Sequence, residues 1–258
     1  MTTTHTAEPD VPIRVLSGPT VVIDYAGLRL LTDPTFDEPG EYPTPIPGFS
    51  LVKTERSPAS PETLGKVDAV LLSHDEHDDN LDRSGREFLA HVPVTLTTVS
   101  GSRRLGGSAQ GLEFWQKTTL QAPDGTLVTV TAMPALHGPE GSEDVAGDVI
   151  GFLLTAPGHP SVYVSGDNAS LPLVEQIAAR VGPIDIAVLF IGGVRHKPVL
   201  DGALVTMDNA LAAQAATLLG ARRVIPAHFE GWAHFRGGRE ELIEAFTKAG
   251  IADRLTLM

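Results

Sequence analysis

The amino-acid sequence predicts an α/β protein in which two mixed β-sheets lie face to face with helices outside. Short apolar β runs and amphipathic helical segments follow one another in the order strands, helix, strands, helices, twice along the chain. Four of the β runs end in a histidine or an aspartate that is flanked by small or turn-forming residues. Because binding and catalytic groups favour loops at strand ends, the pattern predicts one shared cleft.

Length, composition and charge limit the architecture and the partners. The 258 residues suit a single domain over residues 12–258, preceded by a flexible polar tail over residues 1–11. The absence of cysteine excludes disulfides and thiolate zinc sites, which leaves His, Asp and Glu as ligands. A formal net charge of −13 disfavours nucleic acid as a partner and favours a small-molecule substrate.

The sequence also bears on location. The polar N-terminus lacks a signal-peptide pattern, and no apolar run approaches the ~18 residues that a membrane span needs. We therefore expect a cytoplasmic protein without a membrane span, and a homo-oligomer is compatible with the sequence.

The most informative segment, SHDEHDDNLD, covers residues 73–82 and follows the apolar β run 67–72. It contains two imidazoles and five carboxylates, and Asn80 or Asp82 is suited to cap a following helix. Imidazole nitrogen and carboxylate oxygen are the ligands that divalent zinc, manganese and iron accept. The segment therefore indicates a metal site, with a solvated acidic turn as the alternative.

Three further β runs end in a candidate ligand. His137 follows the run 127–133, Asp167 follows 161–164, and His228 follows 222–225. A single histidine or aspartate at a strand end is ordinary, but four such ends favour one metal-binding cleft.

In this order, the motifs HxxHxDN, PALHGP, SGD and PAH resemble those of the metallo-β-lactamase-fold hydrolases. The likeness is most specific to the branch of ascorbate-6-phosphate lactonase-like and N-acyl phosphatidylethanolamine phospholipase D-like proteins. The segments Thr32–Pro34 and Gly111–Trp115 fall in that branch's order as well. The resemblance implies a four-layer αββα sandwich.

One departure concerns the first motif, which is HxHxDH in the family. An insertion of one residue after His74 aligns His77, Asp79 and Asn80 with the family's second histidine, aspartate and third histidine. Without the insertion, Glu76 and Asp78 would take the first two of these places. We prefer the insertion because it keeps Leu81-Asp82 aligned with the family's Leu-Asp pair.

The resemblance implies one or two divalent ions, with zinc as the first expectation and manganese or iron as alternatives. His74, His77 and His137 would hold one ion. Asp79 and His228, with Asn80 as a weaker amide ligand, would hold the other, and Asp167 would bridge the two.

Further residues are expected to act on the substrate. Asp79, or another acid of the segment 75–78, would move a proton to the leaving group. A Gly-Gly pair at a strand end precedes Arg195, His196 and Lys197, one of which is expected to face the substrate. His196 is a catalytic candidate or, equally, a structural residue, and Trp232 is expected to wall the pocket. The Pro-rich segment 36–61 is read as a substrate-covering loop or, equally, as a packed surface meander.

The leading functional hypothesis is hydrolysis of a small-molecule ester, lactone, amide or phosphodiester by metal-activated water. One alternative is a degenerate site in a non-catalytic metal- or ligand-binding protein. A second alternative is a di-iron redox protein.

Overall fold

The computed structural model describes residues 10–44, 50–195 and 200–258. The predicted tail lies outside these ranges for residues 1–9. Val11, which was also assigned to the tail, is instead buried in the core at 1% exposure.

The strands are β1 (Ile13–Ser17), β2 (Thr20–Tyr25), β3 (Leu28–Thr32), β4 (Gly40–Pro43), β5 (Ser50–Lys53), β6 (Ala69–Leu71), β7 (Thr95–Thr98), β8 (Ala109–Leu112), β9 (Lys117–Gln121), β10 (Leu127–Pro134), β11 (Ile150–Thr155), β12 (Val162–Val164), β13 (Ile186–Phe190) and β14 (Arg223–Ala227). The helices in the described ranges are α1 (Arg83–Phe88), α2 (Val99–Leu105), α3 (Glu143–Ala146), α4 (Leu171–Val181), α5 (Asn209–Leu218) and α6 (Arg239–Lys248). Short 3₁₀ turns lie at Leu89–His91 and Ala252–Arg254.

Two six-stranded mixed sheets form the centre of the fold. The first has the order β1-β2-β3-β6-β7-β8 and the second the order β14-β13-β12-β11-β10-β9. In the second sheet, β10 to β12 pair antiparallel, whereas β12, β13 and β14 run parallel. The ends of β10, β12 and β14 therefore lie at the same edge of this sheet.

Three apolar clusters separate four layers. Alternate residues of one strand face opposite sides of a sheet, so Ile23 packs between the sheets while Val22 packs outward toward Phe88 of α1. On the far side of the second sheet, alternate residues pack against α4, α5 and α6. The predicted αββα sandwich is confirmed.

The segment 36–61 contains a strand pair that the sequence did not predict. Strands β4 and β5 form an antiparallel hairpin with Tyr42 opposite Leu51. Neither expected reading, a substrate-covering loop or a packed surface meander, included a strand pair; proline on the short exposed strand β4 still permits edge pairing.

Of the described helices, none is long and apolar enough to cross a membrane.

Candidate metal centre

Strand geometry brings the candidate ligands together. His137, Asp167 and His228 follow β10, β12 and β14, whose ends share one edge of the second sheet. The first sheet contributes the segment after β6, in which Asp82 caps α1 by accepting a hydrogen bond from the Gly85 amide. This cap fixes the end of the turn that carries His74, His77 and Asp79.

Three imidazoles form the first group of ligand atoms. His74 Nε2 lies 3.0 Å from His77 Nδ1, and His137 Nε2 lies 3.2 Å from the same atom. The three nitrogens lie within 4.8 Å of one another. Such spacing suits three nitrogens around one ion, because zinc–nitrogen distances are about 2.0–2.1 Å.

Neighbouring groups fix the tautomers of two of these rings. The Val205 carbonyl can only accept a hydrogen bond, so His137 Nδ1, 2.6 Å away, carries the proton. Ser73 Oγ donates to Asp33 Oδ2 at 2.5 Å and lies 2.9 Å from His74 Nδ1, which therefore donates to it. Both rings keep the Nε2 lone pair for a metal.

A second group of ligand atoms centres on Asp79. Its Oδ2 lies 2.9 Å from His234 Nε2 and 3.4 Å from His228 Nε2. His228 Nδ1 lies 3.4 Å from Asp167 Oδ1, and Asp167 Oδ2 lies 3.7 Å from His137 Nε2. Asp167 thus stands between the two groups.

His228 holds a left-handed backbone conformation with φ of +57°, which is unusual for a residue other than glycine. Its amide donates to the Gly18 carbonyl at 2.7 Å. A Cβ at Gly192 would lie 3.1 Å from His228 Nδ1, so only a glycine leaves the ring its full space. Backbone strain of this kind is typical of functional sites.

Asn80 presents its amide nitrogen, not its oxygen, to the neighbouring carboxylates. Nδ2 donates to Asp33 Oδ2 at 2.9 Å and to Asp167 Oδ1 at 3.4 Å. The predicted ligand role for Asn80 would require its oxygen. The structure therefore assigns Asn80 hydrogen bonds that orient Asp167.

Burial shapes the charges of the site. Burial lowers the pKa of His137 to about 3 and, with His77 and His137 nearby, holds the pKa of His74 well below its usual value. Burial also raises the pKa of Asp167 well above its usual value, and the charges of Asp79 and Asp33 add to this effect. Neutral imidazoles beside crowded carboxylates are a donor set that a divalent cation stabilises.

Several buried ring nitrogens provide a further test of fit. Both nitrogens of His228 and Nδ1 of His234 have no hydrogen-bond partner among the described residues. Buried polar atoms nearly always have a partner, and a cation beside Asp79 would supply one for His228 Nε2. The residues present thus fit a divalent metal.

The ligand groups line a cavity of about 480 Å³. Arg104 at its rim donates to the Asp75 carboxylate at 3.0 Å and also pairs with Glu76, so its charge is balanced. The rest of the wall is largely apolar, with contributions from Leu51, Val145, Ala146, Val194, Leu200 and Val205.

The residues predicted to bind substrate lie elsewhere. Arg195 bonds to the Gly202 carbonyl and faces a different depression near α5, so its predicted contact with the cavity is absent among the described residues. Trp232 is 3% exposed and lies beside Lys53 and Tyr42, away from the cavity wall. His196 lies outside the described residues.

Two further residues contribute to this site, and the sequence predicted neither as a ligand: Asp33 was read as a supporting or capping residue, and His234 as a supporting or surface residue. Asp33 accepts bonds from Ser73 and Asn80 beneath the ligands, and His234 contacts Asp79. Their only local signal was position, just after β3 and just after His228.

Comparison with known proteins agrees with this geometry. A family model described as a beta-lactamase superfamily domain matches residues 28–229. The chain belongs to this family.

Relatives of this chain are named as metal-dependent hydrolases. UPF0173 metal-dependent hydrolases of Methanosphaerula palustris and Pyrobaculum calidifontis are 30% and 29% identical to this chain over 172 and 248 residues. These alignments cover 64% and 89% of this chain, and 69% and 90% of the relatives.

Among solved structures, an isothiocyanate hydrolase from Delia radicum gut bacteria has a TM-score of 0.76 at 22% identity, with 95% of each chain covered. The expectation of a metal-dependent hydrolase of the metallo-β-lactamase superfamily is thereby confirmed. The narrower branch named from the sequence stays a prediction.

Proposed function

We propose that this hydrolase cleaves a small-molecule ester, lactone, amide or phosphodiester with a water activated at the site described above. The observation that carries the proposal is the convergence of His74 Nε2, His77 Nδ1 and His137 Nε2, with His77 and His137 in the wall of the cavity. The order of the strand-end motifs supports placing the chain near the lactonase-like and phospholipase D-like branch.

In this proposal His74, His77 and His137 hold one divalent cation, zinc first, and Asp79, Asp167 and His228 contribute to a second. A bound divalent cation lowers the pKa of its water to roughly 7 and polarises the carbonyl or phosphoryl oxygen of the substrate. The chain's own residues then have to place the substrate and move the proton.

Asp79 is the residue we assign to proton transfer. Both of its contacts with histidines use Oδ2, so Oδ1 is the oxygen that accepts the proton of the attacking water and passes it to the leaving group. Although burial acts to raise the pKa of Asp79, His228 and His234 hold it well below its usual value. The carboxylate is therefore ionised before the reaction, and it can hold the proton only briefly before passing it on.

The cavity wall supports a substrate class. The apolar side chains of Leu51, Val145 and Leu200 suit an uncharged, partly apolar molecule, and the balanced charge of Arg104 leaves little attraction for an anion. We therefore expect neutral esters, lactones or amides to react faster than phosphodiesters.

The test is an activity screen of the metal-loaded protein on lactones, amides, phosphodiesters and thioesters, with an isothiocyanate added because a solved neighbour is named for that substrate. We expect turnover of at least one class, loss with a chelator, and recovery with zinc. His137→Ala should lose the first ion and the activity, because its Nε2 is a ligand atom of that ion. Full metal content and full activity in that variant would contradict the proposal.

Metal analysis of the purified protein separates the alternatives. Two redox-inert ions per chain support hydrolysis. Iron with visible absorbance would instead favour redox chemistry, and less than one ion after metal-replete purification would favour a degenerate site.

A further inference from the structure

We infer that His234, and not Asn80, completes the second cation position of this site. The inference rests on the proposed function, since it assumes that the Asp79 group binds a cation. It changes the ligand set from the one that the family motif implies for this chain.

The first step concerns Asn80, which is fully buried. Its Nδ2 faces two carboxylates, Asp33 and Asp167. Rotating the amide by 180° would place its oxygen against both carboxylates, which is repulsive, so the hydrogen-bond network decides the orientation. Asn80 Oδ1 is buried without a hydrogen-bond partner among the described residues, but Nδ2, not this oxygen, faces Asp167. Asn80 is therefore a positioning residue that aims Asp167.

The second step concerns His234, whose Nε2 lies 2.9 Å from Asp79 Oδ2. His228 Nε2 lies 3.4 Å from the same oxygen. These separations are close to the 3.0 and 3.2 Å that separate the nitrogens of the three-histidine group. Asp79 therefore has two imidazoles at the spacing expected of neighbouring metal ligands. With asparagine at position 80 in place of the motif's third histidine, the family's ligand set would supply only one of them.

The third step concerns how firmly the ring is held. Its centroid lies 4.6 Å from the Phe235 ring and 6.0 Å from the Trp232 ring. The segment is tied to β5, since the Ala233 amide donates to the Val52 carbonyl at 2.9 Å. His234 also lines the cavity, with a side-chain exposure of 14%. A ring fixed in this way needs little reorganisation to bind a cation.

A plain hydrogen bond is the competing role, in which His234 only orients Asp79. The substitution His234→Gln separates the two roles, because the glutamine amide can still donate to Asp79 but is a poor metal ligand. The exposed histidine at position 91 offers a matched control, His91→Gln.

The experiment titrates the metal-free full-length protein with zinc by calorimetry, and counts bound ions after desalting. For His234→Ala and His234→Gln we expect one ion of about two to be lost and the second dissociation constant to rise more than about 100-fold. Loss of a merely orienting partner costs roughly 10- to 100-fold. The first ion should bind as in the wild type, and His91→Gln should behave as the wild type.

Two results would overturn the inference. Retention of the second ion by His234→Ala would show that His234 is not a ligand, and wild-type affinity in His234→Gln would assign it the orienting role. In either case, loss of the first ion by His137→Ala would leave the proposed function standing. Failure of the wild-type protein to bind any ion would contradict both this inference and the proposed function.

Discussion

At the scale of single residues, the turn after His74 decides which side chains reach the site. His77 Nδ1 lies within 3.2 Å of two imidazole nitrogens. Glu76 instead pairs with Arg104 and accepts a hydrogen bond of 3.1 Å from the Asp75 amide. This arrangement agrees with the alignment that inserts one residue after His74. The ungapped alternative would need the Glu76 carboxylate to leave two partners.

The two alignments predict opposite outcomes for a matched pair of substitutions. His77→Gln should lose the first ion, because a weak amide replaces an imidazole ligand. Glu76→Gln should keep it, since this side chain serves Arg104 at the rim. Metal content after desalting is the measurement, and a reversal of the two results would support the ungapped alignment.

Site residues could be predicted from the sequence where neighbouring residues in the chain mark their position, and were missed where only contacts in the folded protein do so. His137 and Asp167 were identifiable because each directly ends a β run that can be read from its neighbours. His234 contacts Asp79, 155 positions away, and the sequence showed only that it lies close to His228. Arg195 was misplaced because the direction of a loop side chain depends on tertiary contacts.

At the scale of elements, the β4–β5 hairpin is joined to the site by a buried ion pair. Lys53 Nζ lies 3.3 Å from Asp82 Oδ2, and both side chains are fully buried. Lys53 also donates to the Thr35 carbonyl at 3.1 Å and lies over the Trp232 ring. The pair thus links β5, the cap of α1 and the segment that carries His234.

Breaking this pair should destabilise the fold. Lys53→Met leaves the Asp82 carboxylate buried without its cation, which should lower the free energy of unfolding by about 3 kcal/mol. The exposed residue Lys66 provides the control, and Lys66→Met should change stability by less than about 0.5 kcal/mol. Urea unfolding of both variants checks this, and equal stability of the two would contradict the role of the buried pair.

Helices and strands were predictable from the sequence where the hydrophobic pattern and the capping residues indicated the same boundaries. Helix α4 begins after Ser170, whose side chain caps it, and ends at Val181, just before Gly182. A serine before a helix and a glycine after it are signals that a sequence carries. The β4–β5 hairpin was missed because prolines and exposed positions conceal the strand pattern there. Pairing of β5 with the Trp232 segment is a tertiary contact and could not be read locally.

At the scale of the whole molecule, the sandwich provides the site with ligands from both sheets. His74 comes from the first sheet, and His137, Asp167 and His228 come from the second. The alternation of apolar residues made the two sheets predictable, because each strand buries one face in each of two layers. How the two sheets are placed against each other, and hence the distances between the ligands, depends on packing between distant segments. It could not be read from any one segment of the sequence.

Because the ligands come from both sheets, a bound cation should stabilise the whole fold. At a free metal concentration 100 times the dissociation constant, binding adds about 2.7 kcal/mol. For a chain of this size that corresponds to roughly 5 to 10 °C in Tm. A chelator should remove this increment in the wild type and shift the Tm of His137→Ala less, because that variant lacks the first ion, as differential scanning calorimetry can show. Equal chelator shifts in both proteins would place the stabilising ion elsewhere.

The central claim is that a cation binds where three imidazoles from the two sheets converge. Anomalous diffraction from a crystal of the zinc-loaded protein, recorded on both sides of the zinc edge, tests it most directly. The account predicts a peak in contact with His74 Nε2, His77 Nδ1 and His137 Nε2. A zinc-loaded crystal with no anomalous peak among these three nitrogens would contradict it.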